Sequence, residues 1–495
     1  MKTRIFLIIS LFTFLVTCTD DFEEFNRDPK NPAEVPGNPL FTNGQLSLLD
    51  QISNTDVNLN VFKLYAQYWT QTTYTDEANY DLVTRTIPDN LFLEYYRDIL
   101  RDLNEASKII TETEPIDTIE AAEKPNRLAI IDLHVVYAYQ NLVDIFGDIP
   151  YNQALKIDSV SPTYDDASFI YQDLIRRVND AIANLNPDAG SFGDADLIYG
   201  GDVASWIKFA NTLKVKLGIT LADYDPAVSR TTVESAVAGG IFESPADNAE
   251  LQYLTSINVN PLYEDLVQSG RDDYVPANTI VDAMKARSDP RLPFYFTTLN
   301  GQYTGGRYGY SNPFSQRSHI ADAIAEPDFP GRFLTYDELM FYLAEAAARG
   351  YSVGGAPQQF YDAGIRSSIL WWGGTEDMAA TYLTRPDVAW NSAGSGATFR
   401  EKIGMQSWIA LYTRGLEAWT QWRRLDYPVF NVPPLSLSDP PAPTDYNRIP
   451  KRFTYPINEQ TLNARNYQMA SQNIGGDEVT TRIFWDVADP QLPAK

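Results

Sequence analysis

Apolar residues recur at helical spacing through most of this chain. Between residues 128 and 146 they fall at Leu128, Ile131, Val135, Ala138, Tyr139, Leu142, Ile145 and Phe146, which is one face of a helix. Gly147 and Pro150 stop it. Residues 171–185 repeat the rhythm with Leu174, Ile175, Val178 and Ile182, and residues 206–221 do so again, with Asp202 placed to cap them. Thr335-Tyr336-Asp337-Glu338 has the form of a capping box, the Thr oxygen taking the third amide while Glu338 reaches back. Its helix carries Tyr336, Leu339, Met340, Leu343, Ala346 and Ala347 and ends at Gly350. Residues 361–372, closed by Gly373-Gly374, and 403–422 are the last long helices, and 46–52, 59–69 and 91–110 are earlier ones. Period-two alternation is scarce. The pattern predicts a mostly α-helical protein built of helix pairs joined by short turns. No fixed repeat period is present, so the spacing alone does not define a solenoid.

Between the helices lie long loops, 300–331, 373–398 and 427–450, rich in Gly, Tyr, Ser and Pro. Loops of this length in a folded domain tend to carry function. No compositional break divides the chain, which predicts one large domain.

Composition narrows the function. The chain has 495 residues, 44% hydrophobic, 13% aromatic and 21% charged, which is globular and excludes a disordered or collagen-like chain. Asp and Glu number 65 against 39 Lys and Arg, for a net charge of −26. That balance opposes nucleic-acid binding, which needs cations to neutralise phosphates. One Cys and two His exclude an intrachain disulfide, a zinc knuckle and a His-rich metal site. No cofactor or metal is expected.

The single Cys has a telling position. Lys2 and Arg4 precede an apolar run, 5–16, too short to span a bilayer but of the length of a signal-peptide core. The run ends at Cys18 and resembles a bacterial lipobox. The resemblance implies a signal peptide over residues 1–17, lipidation of Cys18 and a tether over 18–40 ahead of the main body, 41–495. Several acyl chains on one Cys would hold the protein at a membrane, as a single chain does not. Asp20, Asp21, Glu23 and Glu24 directly after Cys18 resemble the acidic export signal of lipoproteins displayed on the cell surface.

Catalytic motifs are not supported. Gly350-Tyr351-Ser352-Val353-Gly354 fits the nucleophile-elbow spacing, but a helix precedes it and both His134 and His319 lie upstream, so it reads as a helix cap and turn. His134 sits in an apolar helix and reads as a core histidine. Asp194, Asp196 and Asp202 resemble the start of a calcium loop whose Gly and closing Glu are misplaced. Among 65 carboxylates the sequence nominates no glycosidase pair.

Several ordered segments carry a resemblance. Val136-Tyr137-Ala138-Tyr139 through Phe146-Gly147-Asp148-Ile149-Pro150-Tyr151 is similar to a segment of the SusD/RagB family. So are Trp206-Ile207-Lys208-Phe209-Ala210-Asn211, Arg332-Phe333-Leu334-Thr335-Tyr336-Asp337-Glu338-Leu339, Gln406-Ser407-Trp408, Gly415-Leu416-Glu417-Ala418-Trp419 and Arg452-Phe453-Thr454-Tyr455-Pro456. The resemblance implies a single-domain helical fold of four tetratricopeptide-like pairs with loops packed on one side. It also implies a non-enzymatic outer-membrane lipoprotein that binds oligosaccharides and delivers them to a SusC-like TonB-dependent transporter. A peptide-binding RagB-like variant of the same fold, and a lipid-anchored glycoside hydrolase, remain as alternatives.

Sugar rings offer C–H faces to aromatic rings and hydroxyls to charged or amide groups, so the site is sought where the two residue types mix. Three segments qualify. The first supplies Trp69, Tyr74, Asp76 and Asn79, the second Tyr303, Arg307, Tyr308 and Tyr310, and the third Tyr382, Asp387 and Trp390. Trp69 also extends the stripe of Val61, Leu64, Tyr65 and Tyr68, which fits core packing equally well. Trp419 and Trp422, three apart on a helix, read as packing residues.

Overall fold

The long apolar stripes form helices, and the helices pack as neighbouring pairs. The computed structural model describes residues 36–156, 158–433 and 449–487. Residues 1–17, Cys18 and most of the 18–40 tether lie outside the described residues, as does the middle of the 427–450 loop. Helix α1 (Gly37–Ser53) packs on α2 (Arg101–Glu112), and α3 (Thr118–Phe146) packs on α4 (Ala167–Asn184). Next, α5 (Val203–Thr220) pairs with α6 (Pro226–Ala238) and α7 (Tyr336–Ala348) with α8 (Pro357–Trp371). The last pair is α9 (Phe399–Ala410) with α10 (Gly415–Leu425). Contacts of α2 with α3, α4 with α5, α5 with α7 and α7 with α9 join the pairs. One continuous core runs from Phe41 to Trp485, and a smaller one under α7, α8 and α9 holds Phe341, Tyr361, Ile365 and Tyr382. Trp419 is fully buried and Trp422 nearly so, as their spacing predicts. No described helix is long and apolar enough to cross a membrane.

Acidic caps start several of these helices. Asp117 accepts from the Ile119 and Glu120 amides, Asp166 from Phe169, and Asp202 from Ala204 and Ser205. Each cap is worth about 1 kcal/mol. Gly350, at φ 80°, ends α7 in the left-handed region that favours glycine. His134 is buried. Its Nδ1 donates to the Ile130 carbonyl (2.8 Å) and its Nε2 accepts from Gln45 (3.0 Å), and burial lowers its pKa to about 4, so it is a neutral core residue.

Three local expectations are corrected. The Thr335–Glu338 capping box does not form, because a buried cation claims both side chains. Arg414 donates to Glu338 (2.6 Å), to the Thr335 hydroxyl (3.2 Å) and to the Phe333 carbonyl (3.0 Å). Burial pushes Glu338 up, but Arg414 and Lys216 outweigh it and hold the carboxyl at about 2. The α7 N-terminus is served from outside, the Tyr336 amide donating to Asn248 (2.7 Å). The helix expected over 403–422 breaks between Ala410 and Gly415, with Thr413 at φ 75°. The break brings Gly415 against the 62–63 backbone so closely that a Cβ there would lie 2.4 Å from the Lys63 nitrogen. The helix expected over 59–69 shrinks to Phe62–Tyr65, since Gln67 turns to φ 53° and binds the Asn431 backbone through both ends of its amide.

Beyond Gln67 the chain extends into a strand. β1 (Trp69–Gln71) is hydrogen-bonded far along the chain, and the other described strands are equally short: β2 (Ile149–Pro150), β3 (Tyr164–Asp165), β4 (Ala249–Leu251), β5 (Tyr274–Pro276) and β6 (Gly331–Leu334). They form three antiparallel two-stranded ribbons, β1–β5, β2–β3 and β4–β6.

Candidate functional site

The β1–β5 ribbon is the base on which two of the three aromatic loops are joined. Trp69 faces Pro276 and Gln71 faces Tyr274 in its register. Gln71 then anchors the next loop, donating to Glu77 (2.6 Å) and accepting from the Ala78 amide (3.0 Å), while Arg85 also bonds the buried Glu77. With Glu77 and Ala78 pulled in, Tyr74 and Asp76 are left outside. Tyr74 is 61% exposed.

The second loop lies over the same ribbon. Gly306 bonds the Pro276 carbonyl (2.7 Å) and accepts from the Asn278 amide (2.7 Å), at a crossing where an added Cβ would lie 2.8 Å from Thr70. Asn312 ties the turn. Its amide bonds the Thr72 carbonyl (2.9 Å), and its side chain accepts from the Arg307 amide and donates to the Tyr310 carbonyl. Asn79 donates to the Gly309 carbonyl (2.8 Å), joining the two loops directly. Arg307 is exposed and its guanidinium lies 3.7 Å over the ring of Tyr310, a half-buried side chain whose hydroxyl has no partner.

The predicted residues therefore divide. Tyr74, Asp76 and Arg307 are exposed and Tyr310 half-buried, on two loops that Asn79 joins. Three others are corrected to core. Trp69 is fully buried and its indole donates to the Tyr412 hydroxyl (2.9 Å). Tyr308 is 2% exposed and donates to the Leu64 carbonyl (2.9 Å). Tyr382 is 2% exposed, on the helix Glu376–Leu383 beside Gln406. None of these rings presents a face on which a sugar could stack. Tyr303 is half-buried against the core and its carbonyl accepts from Lys285 (2.9 Å). Asp387 is paired with Arg385 (2.9 Å), which outweighs its partial burial and holds its carboxyl below the usual range. Trp390 leans on Tyr361 (5.2 Å between centroids) at the edge of the smaller core. No described contact joins Trp390 to the first two loops.

Sequence reasoning missed one neighbour of these loops. The turn before β5 carries Arg271 and Asp273, paired at 2.5 Å, and Thr72 bonds the backbone of Asp272 and Asp273. Gly270-Arg271-Asp272-Asp273 was a readable turn signal, but nothing local tied it to Tyr74. A cleft of about 830 Å³ lies instead between α2, α3 and α4. Its polar wall is already paired: Arg177 bonds Asp132 and the Tyr151 hydroxyl, and Tyr151 donates to Asp173 (2.6 Å). Among the described residues no His, Cys, Asp or Glu cluster could hold a metal ion.

Helix pairs carrying loops with exposed aromatic and charged side chains define the architecture. The chain belongs to the SusD-like family: the family profile described as "Starch-binding associating with outer membrane" matches residues 29–456. Solved structures agree over nearly the whole chain. A chitin-binding protein is 25% identical at a TM-score of 0.78, covering 91% of this chain and 100% of that one. A SusD homolog from Bacteroides uniformis is 26% identical at a TM-score of 0.76, covering 91% and 99%. A chitin-binding SusD homolog from Flavobacterium johnsoniae is 23% identical at a TM-score of 0.76, covering 91% and 100%. Comparison with curated proteins found no match. The helix-pair fold and the family expected from the sequence are those observed.

Proposed function

We propose that this protein is a surface lipoprotein that binds oligosaccharides without cleaving them and passes them to a SusC-like TonB-dependent transporter. The family match over residues 29–456 carries the reading. The chitin-binding description of two structural neighbours supports a glycan ligand. The loop face supplies the needed chemistry: Tyr74 as a platform for C–H faces, Asp76 and Arg307 for hydroxyls, and Tyr310 held under Arg307. Trp390, Tyr303 and Asp387 would extend contact for a longer ligand. Residues 1–17 act as the signal peptide, Cys18 carries the lipid, 18–40 form the tether and 41–495 the binding body. The test is an immobilised array of glycans and peptides probed with the mature protein, with each hit then incubated to look for products. Retention of glycans with no turnover is expected. Selective retention of peptides, or steady hydrolysis lost on one Asp or Glu substitution, would replace the reading.

A further inference from the structure

The described chain begins beside the cleft between α2, α3 and α4. Helix α1 starts at Gly37, packed so closely on α2 that an added Cβ would lie 2.8 Å from Ile110 and 3.2 Å from the Ala106 carbonyl oxygen. Ser107 and Thr111, on the neighbouring stripe of α2, line the cleft. Residues 19–35 therefore join the body within about one helix width of it. The cleft is partly apolar. Leu128 and Val135 of α3 are half-buried in its lining and Leu155 is exposed there. Ile116 and Ile119, at the α2–α3 turn, are also exposed. Apolar side chains left in solvent around a cleft are a common mark of an interaction surface.

The charge of the cleft differs from that of the chain. Lys124, Lys156, Arg176 and Arg177 line it against Asp132, Asp173 and Asp180, in a chain of net charge −26. Its carboxylates are taken by its arginines: Asp132 pairs with Arg177, and Asp173 and Asp180 pair with Arg176. Among the described residues no carboxylate pairs with either lysine. Lys124 donates to the main-chain carbonyls of Thr111 (2.7 Å) and Thr113 (2.8 Å), and Lys156 is exposed. Residues 19–35 carry the complementary charge. Asp20, Asp21, Glu23, Glu24, Asp28 and Glu34 stand against Arg27 and Lys30, and Phe22 and Phe25 bracket Glu23-Glu24.

We propose that Phe22-Glu23-Glu24-Phe25 docks in this cleft and straps the N-terminal segment to the helix pairs. The two rings cover the apolar stems of α3 and Leu155, and the two glutamates meet Lys124 and Lys156. Reach is sufficient. The link over residues 26–35 spans up to about 33 Å when extended, against about 18 Å for the length of α2. Affinity need not be high. So short a link gives an effective concentration in the millimolar range, so a contact of about 1 mM affinity is made about half the time. The consequence is orientation: the chain following Cys18 leaves the body from one fixed place, and the body is carried at a set angle to whatever holds Cys18. This inference does not rest on the glycan-binding reading.

The test places the photo-crosslinker p-benzoylphenylalanine at position 22 or 25 of the full mature chain and maps its adducts by mass spectrometry. A mixture of light and isotope-labelled protein separates adducts within one chain from those between copies. Intramolecular adducts concentrated on residues 100–111, 121–135 and 151–156 are expected. Their yield should fall at least about threefold in Glu23→Lys with Glu24→Lys, in Lys124→Glu with Lys156→Glu, and on raising salt to about 0.5 M. Adducts scattered over the surface, confined to another face or formed only between copies would overturn the proposal, as would a yield indifferent to both charge reversals. Should the lysine variants fail to fold, the glutamate pair decides, since it leaves residues 36–495 unchanged.

Discussion

Tyr74 and Trp69 stand five residues apart and have opposite roles. Tyr74 projects from a loop tip, so Tyr74→Ala should weaken glycan binding several-fold to about tenfold and leave the melting temperature unchanged. Trp69 is sealed under the β1–β5 ribbon, so Trp69→Ala should cost about 3–5 kcal/mol of folding stability. Calorimetry paired with thermal melts separates these cases. The sequence left Trp69 open between core and site because its aromatic neighbours serve both. Tyr308 and Tyr382 read as loop aromatics for the same reason. The partner that buries Tyr308 is the Leu64 carbonyl, 244 positions away, and no local pattern reveals such a contact. A third residue, Glu94, tests the electrostatics. Burial and then the neighbouring Asp98 raise its pKa from 4.5 to about 7. Between those values the folded protein holds a proton that the unfolded chain releases, so the contribution of Glu94 to stability falls as pH rises through that window. Glu94→Gln should therefore melt higher than wild type at pH 8 and no higher at pH 4. A wild-type-like melting profile across both would contradict the assignment.

At the scale of elements, the helices were legible because each buries a stripe with a 3.6-residue period, and their caps were legible where an Asp stands just before the stripe, as at Asp202. The ends that misled were those decided by distant partners. Thr335 and Glu338 have capping-box spacing, but the buried Arg414 takes them, and an ion in a dry core needs those oxygens more than an amide at a helix end does. The break after Ala410 exists so that Gly415 can touch the 62–63 backbone. Gly415→Ala should thus destabilise the protein by about 1–3 kcal/mol, because the atoms in the way are main chain and cannot rotate aside. Chemical denaturation would measure it, and a loss near zero would mean the two segments separate freely.

Over the whole molecule, the helix pairs supply a rigid body and the loops a face, and the segment joining that body to a membrane would be the chain before residue 40. Cys18→Ala should abolish incorporation of labelled fatty acid and release the protein from the membrane fraction; label retained on that variant would contradict lipidation. The net charge of −26 agrees with a ligand that is neutral rather than polyanionic. Fold class and family were legible because many helices and ordered segments each added weak evidence. The proposed binding face was only partly legible, since it is made by β1, β5 and the turn at Asn312 meeting across more than two hundred residues. The most direct test of the central claim is a titration of array-selected oligosaccharides into the mature protein and its Tyr74→Ala and Arg307→Ala variants. Binding by the wild type, weakened several-fold in both folded variants with no sugar hydrolysed, is the predicted result. Binding that neither substitution alters, or no binding of any oligosaccharide, would contradict it.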